Sequence, residues 1–179
     1  MEMNLFDDVW GLFMLRYVHV LSGVMWIGLL WYFNFVQIPN MPKIPDDQKP
    51  AISKVIAPAA LFWFRWAALA TLVTGLALIG WQGDILDAMT LGIVGAASEG
   101  GDAFVLKNTA IGVGMWMGII MAFNVWGIIW PNQKKALGIV EVDADAKKKA
   151  ARTAMLYSRT NTMLSIPMLY AMVSAQNIY

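Results

Sequence analysis

Four stretches of the chain, near residues 11–36, 59–82, 104–130 and 153–176, are each long and apolar enough to cross a bilayer. A membrane-crossing helix takes roughly 20 mostly apolar residues. The reading that follows is an all-α integral membrane protein: a four-helix bundle forming one transmembrane domain over residues 1–179. Composition agrees, with 59% hydrophobic and 14% charged residues and a mean hydropathy of +0.56. An ordinary soluble domain carries about 25% charge. The first stretch is too long, and too aromatic through Trp31 and Phe35, for a signal peptide. It also has no basic leader or small-residue cleavage site, so it is expected to be retained as a span.

The charges between the stretches are segregated. Lys43, Lys49 and Lys54 lie in the first connection, and Lys134, Lys135, Lys147, Lys148, Lys149 and Arg152 in the third. The N-terminal tail holds Glu2, Asp7 and Asp8; the second connection holds Asp84, Asp87, Glu99 and Asp102, with Lys107 its one base. Basic residues stay on the cytoplasmic side, so the first and third connections are expected inside and both termini outside a bacterial inner membrane. Pro39, Pro42, Pro45, Pro50 and Pro58 should stiffen the first connection against a continuous helix. The second is expected to carry a short amphipathic surface helix before the glycine-rich residues 95–101. Asp143 or Asp145 is placed to start a helix that runs into the fourth span.

Several function classes fall away on counts alone. A net charge of +1 gives no basis for nucleic-acid binding. The absence of cysteine removes disulfides, iron–sulfur clusters and C-x-x-C-H haem attachment, and a single histidine removes multi-histidine metal centres built from one chain. No P-loop, G-x-S-x-G or H-E-x-x-H occurs, and no acidic residue lies within a span core to serve a proton relay.

That single histidine, His19, lies about a third of the way into the first span. Ionisable residues inside a membrane are functional candidates by default, and histidine commonly holds haem iron. A hydrogen-bonded packing histidine is the alternative. Helix geometry puts His19, Ser22, Trp26 and Phe33 near one face. Antiparallel spans would bring Gly75, Gly114, Met115, Met168 and Met172 to the level of His19. Glycines there serve close helix packing or leave room for a flat macrocycle. Met115, Met168 and Met172 are candidate second axial ligands, or else filler. Arg16, one turn above His19, and Lys107 are candidate partners for haem propionates. A deeper polar layer of Asn34, Arg65, Asn124, Arg159 and Asn161 reads as interhelical hydrogen bonding with snorkelling arginines, Asn124 and Asn161 within mutual reach.

Arg16-Tyr17-Val18-His19-Val20, Trp26-Ile27-Gly28 and Trp31-Tyr32-Phe33 resemble the first helix of the N-terminal membrane domain of cytochrome-c-linked urate oxidases. Residues 159–167 (RTNTMLSIP) and 126–135 (WGIIWPNQKK) are similar to later parts of that domain. The H-x6-W-x-G pattern is more loosely similar to haem-containing membrane protoporphyrinogen oxidases. The resemblance implies a non-covalent haem b carried by His19. A bis-histidine haem would then need a second copy or another subunit of a larger membrane complex. Two functions remain open: a haem b protein passing electrons to a separate redox partner, and a non-catalytic membrane scaffold that kept the helices and lost the chemistry.

Overall fold

The structure, a computed structural model, describes residues 8–98 and 106–178. Glu2, Asp7, Glu99, Asp102, the expected start of the third span at Phe104 and residues 99–101 of the glycine-rich run lie outside the described residues. Among the described residues every regular element is helical. Four long runs dominate: α1 (Asp8–Lys43), α2 (Lys49–Gln82), α5 (Leu106–Ala136) and α6 (Ala144–Asn177). Between α2 and α5 lie two short helices, α3 (Ile85–Met89) and α4 (Ile93–Ser98). Three runs, α1, α2 and α5, are long and apolar enough to cross a membrane. The 34-residue α6 is long enough but is diluted by its polar residues.

The helices continue farther through the first connection than its prolines suggest. Pro39, Pro58 and Pro131 are each absorbed within a helical run, because the turn before each one widens. In Tyr32–Gln37, Ile52–Ile56 and Asn124–Ile129 the backbone takes π-helical form. The last N–H before each proline reaches five residues back: Ile38 to Phe33, Ala57 to Ile52 and Trp130 to Val125. Proline has no N–H and its ring crowds the carbonyl four residues earlier, so a wider turn relieves the clash without ending the helix. The start of α6 follows the expected signal. Asp143 Oδ1 accepts the Ala146 N–H at 2.7 Å, three residues on, as an N-cap does.

Chain contacts divide the molecule into two compact units, residues 1–22, 70–120 and 164–179 in one and 23–69 and 121–163 in the other. Each contains a segment of all four long helices. In the first unit Ile79, Ala88 and Met115 form a buried cluster against Leu76, Ile111, Ile119 and Met172. The second connection does not float on the surface as a single amphipathic helix. It folds as α3, a turn with Leu91 and Gly92 at positive φ, and α4. Ala88 is completely buried, and the Asp87 carboxylate accepts from the Gly95 N–H and from Asn108 Nδ2.

In the second unit Trp26, Leu30, Phe64, Met121, Val125 and Ile129 are almost fully enclosed, with Phe33 edge-on to Phe64. Three of its asparagines, Asn34, Asn124 and Asn161, make contacts between helices. Asn124 Nδ2 donates to Asn161 Oδ1 at 2.8 Å, and Asn161 Nδ2 donates to the Met121 carbonyl at 2.9 Å. Asn34 Nδ2 donates to the Leu30 carbonyl and to Ser158 Oγ. On α6 the buried residues include Ser158, Asn161, Thr162, Ser165 and Ser174, while Met163, Ile166, Tyr170 and Val173 are at least 60% exposed. Apolar outside and polar inside is the arrangement that lipid as solvent favours.

Asn161 is the most demanding of these polar residues, because it is fully buried and holds two partners. Asn161→Ala leaves Asn124 Nδ2 without its acceptor and removes the side-chain bond to the Met121 carbonyl, which is expected to destabilise the fold by about 1–3 kcal/mol. Unfolding in mixed dodecylmaltoside–SDS micelles measures this, with Thr160→Ala on the exposed face as the neutral comparison. Equal midpoints for the two variants would mean that the asparagine pair contributes nothing.

Candidate functional site

His19 lies half-buried on α1 and faces α2. Its Nδ1 is 3.0 Å from the Thr71 carbonyl oxygen and 3.2 Å from Thr74 Oγ1. A carbonyl oxygen only accepts, so Nδ1 carries the hydrogen. The Thr74 hydroxyl gives its own proton to the Ala70 carbonyl at 2.6 Å, which leaves its oxygen free to accept from Nδ1 as well. The tautomer is thereby fixed, with the lone pair on Nε2. Metal-binding histidines are oriented in this way, with one ring N–H given to a backbone carbonyl and the other nitrogen left basic.

Gly75 makes the approach possible. A Cβ there would fall 2.8 Å from His19 Cε1 and 3.3 Å from Nδ1, so the imidazole rests directly on the α2 backbone. Ser22, on the same helix, turns its hydroxyl back to the Val18 carbonyl at 2.7 Å. Nearby on the same face Gly11 receives Trp81, whose ring carbon would lie 3.3 Å from a Cβ at that position. The α1–α2 contact in this unit is thus built at two glycines, each covered by a ring from the opposite helix.

The other residues expected at the site occupy two kinds of place. Met115 belongs to the buried cluster with Ile79 and Ala88. The Met172 side chain lies on Gly114, its atoms 3.0–3.2 Å from where a Cβ would be, and Met168 Sδ lies 3.7 Å from that point on Gly118. The glycines of α5 therefore serve close contact with α6, with thioethers packed over them. Arg16 and Lys107 are both exposed. Two cavities of about 260 and 250 Å³ are found in the second unit. His19 lines neither. Phe33, Gln37, Leu61, Phe64 and Ser158 contribute to the smaller one, and Gln37 Oε1 is buried there without a partner.

The deeper polar layer divides. Asn34, Asn124 and Asn161 make interhelical hydrogen bonds as expected, and Arg159 is exposed. Arg65 is held differently. Its guanidinium carbon stands 3.8 Å from the Trp130 ring centroid and 5.4 Å from that of Phe62, and Nη1 donates to the Leu61 carbonyl at 3.1 Å. Trp126 Nε1 donates to the Arg65 carbonyl at 3.2 Å and packs edge-on against Trp66. Sequence reasoning placed Arg65 at depth but missed its aromatic enclosure.

Helices throughout the described residues, three apolar runs of membrane length, a scattering of buried polar side chains and many exposed large apolar ones define the class: a helical protein of the membrane type. Residues 82–177 match the family described as urate oxidase N-terminal, and with more than half of the sequence covered the chain belongs to that family. No curated protein and no solved structure matches it. The matched residues take in α3 to α6, with Met115, Met168 and Met172, and leave His19 outside.

Proposed function

We propose that this protein is a four-span component of a bacterial inner membrane, both termini outside, that carries one non-covalent haem b on His19 as an electron-transfer or accessory subunit. The observation that carries the reading is the fixed tautomer of His19. Nδ1 is committed to Thr71 and Thr74, so Nε2 is the nitrogen available to iron. A haem b bound there would supply one-electron transfer. Around it, Arg16 and Lys107 are exposed cations suited to its carboxylates, and Met115, Met168 and Met172 are candidate thioether ligands in the same unit. Because the chain has one histidine, a second imidazole would come from another copy or from a partner subunit in a larger complex. The absorption spectrum of the protein purified from native membranes, oxidised and dithionite-reduced, tests this. A Soret band is expected in the native protein and none in His19→Ala. A native preparation without one would overturn the haem assignment.

The fourth span rests on α6, where Ser158, Asn161, Thr162, Ser165 and Ser174 are buried while Met163, Ile166, Tyr170 and Val173 are exposed. Sidedness rests on the contrast between the basic first and third connections and the acidic second. Cysteine placed at Lys148 should resist a membrane-impermeant maleimide in intact spheroplasts, while one at Asp84 reacts. The opposite pattern would invert the topology.

A second reading has its own support. The thioethers over Gly114 and Gly118 and the Nδ1 bridge from α1 to α2 are complete packing contacts without any cofactor. They fit a scaffold or assembly subunit of the same family, and the absence of a Soret band together with an intact fold would establish it.

A further inference from the structure

Arg65 and Lys134 approach the same indole from two helices. The guanidinium carbon of Arg65 is 3.8 Å from the Trp130 ring centroid, and Lys134 Nζ is 5.7 Å from it. Two cations at one ring concentrate positive charge that the negative charge of an anion between them would neutralise. No carboxylate supplies that charge: among the described residues the ion pair formed is Lys49–Asp46, on the connection before α2. Of the five guanidinium N–H donors, one is given to a protein oxygen, the Leu61 carbonyl. A guanidinium stacked by its face leaves its edge donors for acceptors in its own plane, and the edge pair matches two oxygens of a phosphate.

The surroundings state what kind of phosphate. Phe62, Trp63 and Trp66 on α2 are each about half exposed, forming an aromatic apron beside the cations. A free inorganic anion makes no use of such a surface, whereas the glycerol and upper acyl chains of a phospholipid do. We propose that Arg65, Trp130 and Lys134 form a binding site for one anionic phospholipid: its phosphate diester lies between the two cations, and its chains run along Phe62, Trp63 and Trp66. The site is independent of His19 and of haem.

Native mass spectrometry of the detergent-solubilised protein, titrated with dioleoyl-phosphatidylglycerol or dioleoyl-phosphatidylcholine, tests it. A single phosphatidylglycerol adduct is expected at a lipid concentration well below that needed for phosphatidylcholine. Arg65→Gln and Lys134→Gln should each weaken that adduct roughly fivefold, the effect of one surface cation on an anionic lipid. Lys134 is outside the packed core, so its variant remains informative if Arg65→Gln fails to fold. Glutamine at Lys147, Lys148 and Lys149 together should leave the single adduct in place. Equal binding of the two lipids, loss of selectivity in the triple variant alone, or unchanged binding in Lys134→Gln would each overturn the site. Displacement of the lipid by equimolar inorganic phosphate would show a free-anion site and overturn the lipid assignment.

Discussion

Gly112→Ala is expected to be among the most damaging single-methyl additions in this protein, costing about 3 kcal/mol or more. The new Cβ would lie 2.2 Å from the Ala88 carbonyl oxygen and 3.0 Å from Leu91 Cδ2. The oxygen is backbone, and the turn that carries it is pinned to α5 on both sides. Thr109 Oγ1 donates to the Leu91 carbonyl at 2.8 Å, Trp116 Nε1 to the Met89 carbonyl at 3.1 Å, and Asp87 is clamped by Gly95 and Asn108. Relief requires the whole α3 turn to lift. Gly114→Ala meets only the flexible Met172 side chain, at 3.0–3.2 Å, and should cost no more than about 1 kcal/mol. Gly80→Ala meets nothing within 4 Å and should be neutral or stabilising by about 0.5–1 kcal/mol through helix propensity. The unfolding midpoints in mixed micelles should fall in that order. Coincident midpoints for the Gly112 and Gly80 variants would remove the α3–α5 contact from this account.

Gly75→Ala should reach His19 without altering it. The added methyl would stand 2.8 Å from Cε1, so the imidazole must swing off α2 and give up the Thr71 carbonyl. Once that hydrogen bond is lost, the tautomer is no longer imposed and Nε2 no longer points where it did. If His19 carries haem, the Soret band of Gly75→Ala should be shifted or lost nearly as completely as in His19→Ala, while Gly80→Ala keeps it. Thermal melts followed by size-exclusion profile separate this effect from unfolding. A native band unchanged in position and intensity would mean that His19 does not depend on its seat at Gly75.

Much of the architecture was legible in the sequence because lipid leaves few alternatives. Long apolar runs in α1, α2 and α5 have to be helices, and the Asn124–Asn161 contact followed from counting residues inward from the ends of two runs. The pairing of His19 with the neighbourhood of Gly75 came from the same counting. Three things escaped. The second connection has Ile85, Leu86 and Met89 spaced as on a surface helix, but Asp87 spends its carboxylate on Gly95 and Asn108, and this folds the segment inward. The aromatic enclosure of Arg65 joins α2 to α5, and no local pattern reports a contact between residues so far apart in sequence. The prolines of the first connection read as stiffening it against a continuous helix, yet Pro39 and Pro58 each sit inside a helical run.

Those wide turns bear on how such chains can change length. A π-turn holds one residue more than an α-turn while leaving the segments on both sides facing as they would without it. Removing one residue from Tyr32–Gln37, Ile52–Ile56 or Asn124–Ile129, with the proline that follows replaced, would let the turn relax to ordinary α geometry, with Phe64, Asn161 and the other inward residues undisturbed. The same deletion in a regular stretch would rotate everything beyond it by about 100° and turn an inward asparagine toward lipid. The three proline-linked turns are therefore the joints at which the long helices of this chain can lose a residue and its proline together and still keep their inward faces aligned.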